Sequence, residues 1–101
     1  SRDPQRSVAQ PPVQISLRNP FRPPGQIVLD NVGNDRVGVE IVDAAGRVRA
    51  IAFDGTAASN RVTCLWNGRD DLGHAVSAGV YWVRVRGSGK ASKTARLVLL
   101  K

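Results

Sequence analysis

Turn-forming residues recur along this chain at nearly regular intervals, and the runs between them alternate between apolar and polar side chains. From Val13 onwards, clusters of Gly, Asn, Asp or Pro come about every 8 to 12 residues, and no run carries the 3.6-residue apolar period of an amphipathic helix. Tyr81, Val83 and Val85, for example, are separated by single Trp or Arg residues. This spacing predicts seven short strands, and therefore an all-β sandwich with antiparallel neighbours and Greek-key connections.

The alternation and the turn residues together set the expected bounds of each strand. Residues 43–47 are predicted to form a tight turn within a hairpin, with Gly46 at the position that needs a positive φ. Residues 54–60 are expected to form a loop, and residues 74–76 a brief extra strand. The seven main strands are predicted at 13–18, 26–30, 37–42, 48–53, 62–66, 81–86 and 92–100.

Proline and glycine divide the chain into two parts. All six prolines fall within the first 24 residues, and nine of the ten glycines follow Gly25. Residues 1–12 are therefore predicted to be a Pro- and Arg-rich linker, and residues 13–101 a single folded domain. The chain begins with Ser1 rather than Met, so we expect this domain to be the C-terminal part of a larger protein.

The sequence NPFRPPG at residues 19–25 excludes both a helix and regular strand pairing, because its three prolines remove backbone donors. Phe21 supplies one large apolar side chain in the middle of this segment. We expect Phe21 to close the edge of the core.

The charge pattern argues against several classes of partner. The net charge is +7, but Arg84 and Arg86 stand singly between apolar residues, as the solvated face of a strand requires. No clustered basic stripe with stacking aromatics is present, so we predict no nucleic-acid partner. No apolar run is long enough to span a membrane. The single cysteine, Cys64, excludes an intrachain disulfide.

Residues that could carry chemistry are concentrated between Val62 and Arg86. Cys64 is expected to point inward from a strand, and His74 lies beyond the following loop, so the pair shows no sign of an activated nucleophile. The sequence GSGK at residues 87–90 is not followed by Ser or Thr and precedes a strand, so it predicts a turn rather than a phosphate loop. The one candidate calcium set, weighed against ordinary turn hydrogen bonding, is Asn67, Asp70 and Asp71.

Two aromatic residues of the late strand have different expected roles. Tyr81 follows Gly79 and Val80 at the start of that strand, where its hydroxyl can bond to upstream backbone as a tyrosine corner. Trp82 points to the opposite face. It either stacks on a sugar ligand, or covers a hydrophobic rim of the sandwich or packs under the linker, and the structural role is the commoner one for Trp.

Several motifs, taken together and in order, resemble the C-terminal sorting domains of type IX secretion substrates, and are similar to the immunoglobulin-like domain of the flagellar hook-capping protein. The likeness covers about residues 13–101. The chain departs from the family in its high Arg content and in the sequence NPFRPPG, where members often carry Thr and Ser after the second Pro. The motifs are NPF (19–21), IVDAAGR (41–47), WNGRDDLG (66–73), SAGVY (77–81) and KTARLVLLK (93–101).

The resemblance implies a seven-stranded immunoglobulin-like (fibronectin III-like) sandwich that belongs to a secreted bacterial protein. In that family the domain is a non-catalytic address for the outer-membrane secretion machinery, and in many members it is cut off as the cargo is attached to the cell surface. Cleavage would then fall in the linker before Val13. The residues that match the recognised part of the signal are Lys93, Thr94, Arg96, Leu97, Val98, Leu99, Leu100 and Lys101.

The sequence thus favours a sorting or anchoring domain, monomeric and without cofactor or enzymatic activity, on a protein that is secreted or held at the bacterial cell surface. Its expected partners are the secretion machinery or a cell-surface component, and the upstream domain of the same precursor. The alternative is an accessory binding module of an extracellular enzyme. That module would use Trp82 or the loop of Asp70 and Asp71 to hold a polysaccharide or a neighbouring catalytic domain.

Overall fold

Seven strands account for most of the folded chain. The computed structural model describes residues 12–33, 36–87 and 90–101. Residues 1–11 of the predicted linker and the predicted turn residues 34–35 and 88–89 lie outside the described residues. The strands are β1 (Gln14–Leu17), β2 (Gly25–Asp30), β3 (Arg36–Val42), β4 (Val48–Thr56), β5 (Arg61–Trp66), β6 (Gly79–Gly87) and β7 (Lys90–Leu99).

The strands form two sheets that face each other, which confirms the predicted seven-stranded sandwich. One sheet has the order β1-β2-β5 and the other β4-β3-β6-β7, and every pairing between named strands is antiparallel. In a constant-type immunoglobulin domain the fourth strand joins the sheet of the first, second and fifth strands. Here β4 pairs with β3 instead, so β4 and β7 are the two edges of the larger sheet.

The core lies between the sheets and is built from the alternating residues that the sequence pattern singled out. Burial of each of these side chains stabilises the folded state by about 1.5 to 3 kcal/mol. The opposite faces of the strands carry mostly exposed or half-buried residues, as expected for antiparallel sheets with one solvated side. The fully buried side chains include Ile27 and Leu29 of β2, Val39 and Ile41 of β3, Val83 of β6, and Leu97 and Leu99 of β7.

Three aromatic rings join the two sheets at one end of the sandwich. The Trp66 ring lies 5.9 Å from the Phe21 ring and 6.2 Å from the Tyr81 ring, centroid to centroid. The Trp66 indole N–H donates to the carbonyl of Arg69 at 2.9 Å, and the Tyr81 hydroxyl donates to the carbonyl of Ser77 at 2.7 Å. The predicted tyrosine corner is therefore confirmed, and Tyr81 is a structural residue.

The structure also corrects several predicted boundaries. A loop was expected from Asp54, but β4 continues through Thr56. The strand continues because Asp54 lies opposite Gly38 in the sheet and forms an ion pair with Arg36 at 2.9 Å. The predicted strand at 74–76 is wrong. Only one isolated bridge, between Arg69 and Ala75, forms there. The hairpin turn at 43–47 is confirmed, with Gly46 at a φ of 86°.

Candidate functional site

The sequence NPF at residues 19–21, hereafter the NPF segment, lies along the outer edge of β7. The Asn19 side chain donates to the carbonyl of Arg96 at 3.0 Å and accepts from the N–H of Val98 at 2.9 Å. Phe21 continues the pairing, because its N–H donates to the carbonyl of Val98 at 2.7 Å and its carbonyl accepts from the N–H of Leu100 at 2.9 Å. The NPF segment thus ties the start of the sandwich to the C-terminal strand.

The local sequence explains this geometry. Pro20 has no N–H to donate, and the Asn19 amide supplies a donor and an acceptor where a strand would supply backbone groups. Phe21 is only 1% exposed and anchors the segment in the core, as predicted. Gly25 is needed beneath its ring, because a Cβ at that position would lie 2.4 to 2.8 Å from three of the Phe21 ring atoms.

The C-terminal residues that the family resemblance singled out divide into two sets. Leu97 and Leu99 point inward and are fully buried, and Val98 and Leu100 are half-buried beside the NPF segment. The remaining four are exposed, and a partner could contact them without unfolding the sandwich. They are Lys93, Thr94, Arg96 and Lys101.

Several exposed cations along β7 and beside the NPF segment have no carboxylate partner. Most other arginines form ion pairs, such as Arg84 with Glu40 at 2.7 Å and Arg61 with Asp30 at 2.7 Å. Within the described parts of the chain, the remaining cations form no ion pair with a carboxylate. One of them, Arg69, donates from its guanidinium to a backbone carbonyl instead. The others, which are exposed and unpaired, are Arg18, Arg22, Lys93, Arg96 and Lys101.

The candidate calcium ligands Asn67, Asp70 and Asp71 are engaged in holding the loop after β5. The Asn67 side-chain oxygen accepts from the N–H of Arg69 at 3.0 Å. One Asp70 oxygen accepts from the N–H groups of Leu72 and His74 at 3.0 and 2.9 Å. Across residues 12–33, 36–87 and 90–101, no group of three or more His, Cys, Asp or Glu side chains lies close enough to hold a metal ion. The set therefore has a structural role in this loop.

Asp71 has a separate role, since it covers the first part of the outer edge of β4. Its N–H donates to the carbonyl of Arg49 at 3.3 Å, and its carboxylate accepts from the N–H of Ile51 at 3.1 Å. These two contacts pair backbone groups that a neighbouring strand would otherwise occupy. The loop thus protects the opposite edge of the same sheet.

Two carboxylates organise turns and titrate abnormally as a result. The backbone N–H of Arg47 holds the pKa of Asp43 below its usual range, partial burial acts against it, and the N–H of Ala45 and the Arg47 guanidinium add to the lowering. The backbone N–H of His74 likewise lowers the pKa of Asp70, against partial burial, with a further contribution from the N–H of Leu72. Both groups fix local backbone, and these hydrogen bonds account for the lowered pKa values.

The remaining reactive residues do not converge. Cys64 faces the core from β5, and burial raises the pKa of its thiol. A raised pKa disfavours the thiolate that a nucleophile needs. His74 is exposed on the loop, with its Nδ1 3.9 Å from a carboxylate oxygen of Asp70.

Trp82 is the most exposed aromatic side chain in the described part of the chain, at 38%. It lies on the outer face of the larger sheet, opposite Val42 of β3 and Arg96 of β7. Val80, on the same face, is also exposed. Trp82 therefore does not fill the core, and residues 1–11 of the predicted linker, under which it was also expected to pack as an alternative, lie outside the described residues.

Sequence reasoning missed Asn19, although it singled out the NPF motif. Only Phe21 was given a role, because a buried aromatic is visible in the sequence and a long-range side-chain hydrogen bond is not. The signal that could have identified Asn19 is the Pro that follows it. Pro20 has no backbone N–H to donate to a neighbouring strand, and the Asn amide can supply a donor in its place.

No described helix is long and apolar enough to cross a membrane.

Comparisons with known proteins find a similar domain in one bacterial secretion component. No protein-family profile and no curated protein matches the chain. A solved structure of PorZ from Porphyromonas gingivalis, an essential bacterial surface component of the type-IX secretion system, is 26% identical over 86% of this chain, with a TM-score of 0.57. The matched region spans 11% of the PorZ chain. The likeness therefore concerns one β-sandwich domain within a much longer protein.

Proposed function

We propose that this domain is a non-catalytic sorting or anchoring module that directs a secreted bacterial protein to the cell surface through a type IX secretion system. The observation that carries the proposal is the likeness to PorZ, a surface component of that system. It agrees in kind with the family that the NPF, WNGRDDLG and KTARLVLLK motifs resemble. The secretion machinery or another cell-surface component is the partner that this role requires.

The arrangement of β7 supports a recognition role for the C-terminal residues. Leu97 and Leu99 are committed to the core, so a receptor reading a folded domain would contact the outward side chains. Thr94 and Arg96 supply these on the strand itself, and Lys101 follows beyond its end. The NPF segment holds this strand in place from its outer edge.

The absence of catalytic activity is part of the proposal. The carboxylates and amides that could serve chemistry hold turns, and the Cys64 thiol is buried. Such residues stabilise a fold without presenting a nucleophile, a base and a substrate position together.

An export assay tests the proposal. A secreted reporter carrying this chain at its C-terminus is expressed in a bacterium with a type IX secretion system and in a mutant that lacks it. We expect surface display or release only in the competent strain. Equal amounts outside both strains would overturn the proposal.

A matched pair of double variants tests whether β7 is the recognised strand. Thr94→Ala with Arg96→Ala removes two outward side chains from β7, and Arg61→Ala with Thr63→Ala removes the same residue types from the outer face of β5. We expect the first pair to lower export severalfold and the second to leave it unchanged. Removing residues 93–101 altogether would be uninformative about recognition, since it also removes Leu97 and Leu99 from the core.

The exposed position of Trp82 favours one alternative function, an accessory module that binds a polysaccharide. An exposed indole on a flat sheet face can stack on a sugar ring, and Arg96 beside it could bond to hydroxyl or carboxylate groups. A glycan array with the wild type, Trp82→Ala and the control Leu65→Ala tests this alternative. Leu65 is exposed on the other sheet. Binding that only Trp82→Ala abolishes would support it, and no binding by any form would exclude it.

A further inference from the structure

The outer edge of β7 is only partly covered by the NPF segment. The N–H and carbonyl of Val98 both point away from β6, because both bond to the NPF segment. Backbone groups repeat every second residue along a strand, so those of Arg96 and Thr94 point the same way. The Arg96 carbonyl is taken by Asn19. No described residue bonds to the N–H of Arg96 or to the N–H and carbonyl of Thr94 on this side, and these three groups are hereafter the open edge.

The NPF segment shows that this edge accepts an extended chain. Phe21 forms a parallel bridge with Leu99, and its N–H and carbonyl bond to successive outward groups of β7. The open edge continues the same row of donors and acceptors towards Lys93. β1 of the other sheet also lies close to β7, so a strand added along the open edge would lie beside β1 as well as β7.

Charge identifies the kind of strand that fits. Lys93 and Arg96 flank Thr94, both are exposed, and neither forms an ion pair with a described carboxylate. Two copies of this edge placed side by side would bring like charges together, which disfavours pairing of the domain with itself. An acidic strand would instead gain cross-strand ion pairs as well as backbone hydrogen bonds.

We propose that the open edge binds an extended acidic segment of a partner protein by strand addition. The inference builds on the proposed function, because the same strand would be the one that the secretion machinery recognises, and it names the chemistry of that partner. A cationic edge that served only to prevent aggregation would bind no peptide of either charge.

Peptide titration of the purified full chain tests the inference. The probes are an acetylated, amidated hexapeptide of alternating Val and Glu, and its counterpart of alternating Val and Lys. Amide resonances are followed by NMR at low and at physiological salt. We expect the Glu peptide alone to bind, with the largest shifts at Thr94 and Arg96 and with weaker binding at higher salt. Absence of binding, or equal binding of the Lys peptide, would overturn the inference.

A proline at the open edge tests strand addition directly. Thr94→Pro removes an outward N–H that bonds to no described residue, and proline is tolerated where a strand's N–H faces solvent. Thr94→Ala is the matched control, since it keeps the N–H. We expect Thr94→Pro to weaken binding of the Glu peptide by at least about tenfold, and Thr94→Ala to bind as the wild type does. Unchanged affinity in a folded Thr94→Pro variant would exclude strand addition.

A charge reversal keeps the inference testable if Thr94→Pro does not fold. Lys93→Glu with Arg96→Glu reverses the two cations of the open edge, and Arg47→Glu with Arg61→Glu makes the same change in net charge on the turn before β4 and on β5. Only the first pair is expected to abolish binding. Equal loss of peptide binding in both variants would mean that binding depends on net charge alone, and would overturn the inference.

The outcomes separate this inference from the proposed function. Peptide binding without dependence of export on the type IX system would overturn the sorting role and leave the binding edge standing. Export that depends on the type IX system, without peptide binding, would overturn the binding edge and leave the sorting role standing.

Discussion

The two edges of the larger sheet are each closed over part of their length by the same kind of contact, a polar side chain together with a backbone group of the same segment. At β4, the Asp71 N–H and carboxylate pair with backbone groups of Arg49 and Ile51. At β7, the Asn19 amide and the Phe21 backbone pair with Val98 and its neighbours. The β4 edge is closed near its start, at Arg49 and Ile51, from a loop about 20 residues away in sequence, whereas the β7 edge is closed near its C-terminal end by residues 79 positions away.

The difference separates structure from function in this domain. The loop that closes β4 holds the residues that looked most like a site, and its polar groups bond to its own backbone and to β4. The β7 edge has no such cluster, but it keeps unpaired backbone groups and unpaired cations. Concentrated polar residues thus mark a well-satisfied loop, and unsatisfied groups mark the surface that a partner can use.

Phe21→Ala should have the largest effect, because it breaks the β7 closure at its anchor. The side chain is fully buried against Trp66, and truncation of a buried Phe costs about 3 to 5 kcal/mol through lost burial and the cavity that remains. Chemical denaturation of wild type and variant measures the loss. A variant that unfolds at the same denaturant concentration as the wild type would show that the NPF segment is not anchored in the core.

Asn19→Ala and Asp71→Ala compare the two closures directly. Asn19 makes two hydrogen bonds to β7, each expected to contribute about 0.5 to 1.5 kcal/mol, and the Asp71 side chain makes one to β4. We expect a larger fall in unfolding free energy for Asn19→Ala. The two losses should add in the double variant, because the sites lie on opposite edges. A larger loss for Asp71→Ala would reverse the ranking of the two closures.

Acid should weaken the turn-rich side of the molecule through Asp43 and Asp70. Both carboxyl pKa values are lowered by folding, so their stabilisation is present above the unfolded pKa, about 4, and is lost as the pH falls through the folded values. Thermal unfolding between neutral pH and about pH 2.5 measures this loss. Asp43→Asn with Asp70→Asn should flatten the acid limb of the curve, and an unchanged acid limb would contradict the assignment.

His74→Ala should have the smallest effect. The ring is exposed and lies 3.9 Å from Asp70, and the hydrogen bond that matters for the loop comes from the His74 backbone N–H. We expect a change within about 0.5 kcal/mol and normal export of a reporter. A severe loss of either would mean that the β4 side carries function after all.

The sequence allowed the sandwich and several of its details to be predicted, and the details that failed share a cause. Alternation and turn residues act locally, so the core strands, the Gly46 turn and the Tyr81 corner could be inferred. Asp54 was taken for a turn residue because its partner Arg36 lies on another strand. The contact of Asn19 with β7 and the exposure of Trp82 depend on how distant strands are arranged, which a local pattern does not contain.

Amide hydrogen exchange along β7 tests whether the NPF segment closes only part of this edge. The N–H groups of Val98 and Leu100, which bond to the NPF segment, are expected to exchange at least about tenfold more slowly than those of Thr94 and Arg96, after correction for intrinsic rates. Asn19→Ala should accelerate exchange at Val98 and leave Thr94 unchanged. Equal protection of Thr94 and Val98 in the wild type would contradict the existence of an open edge.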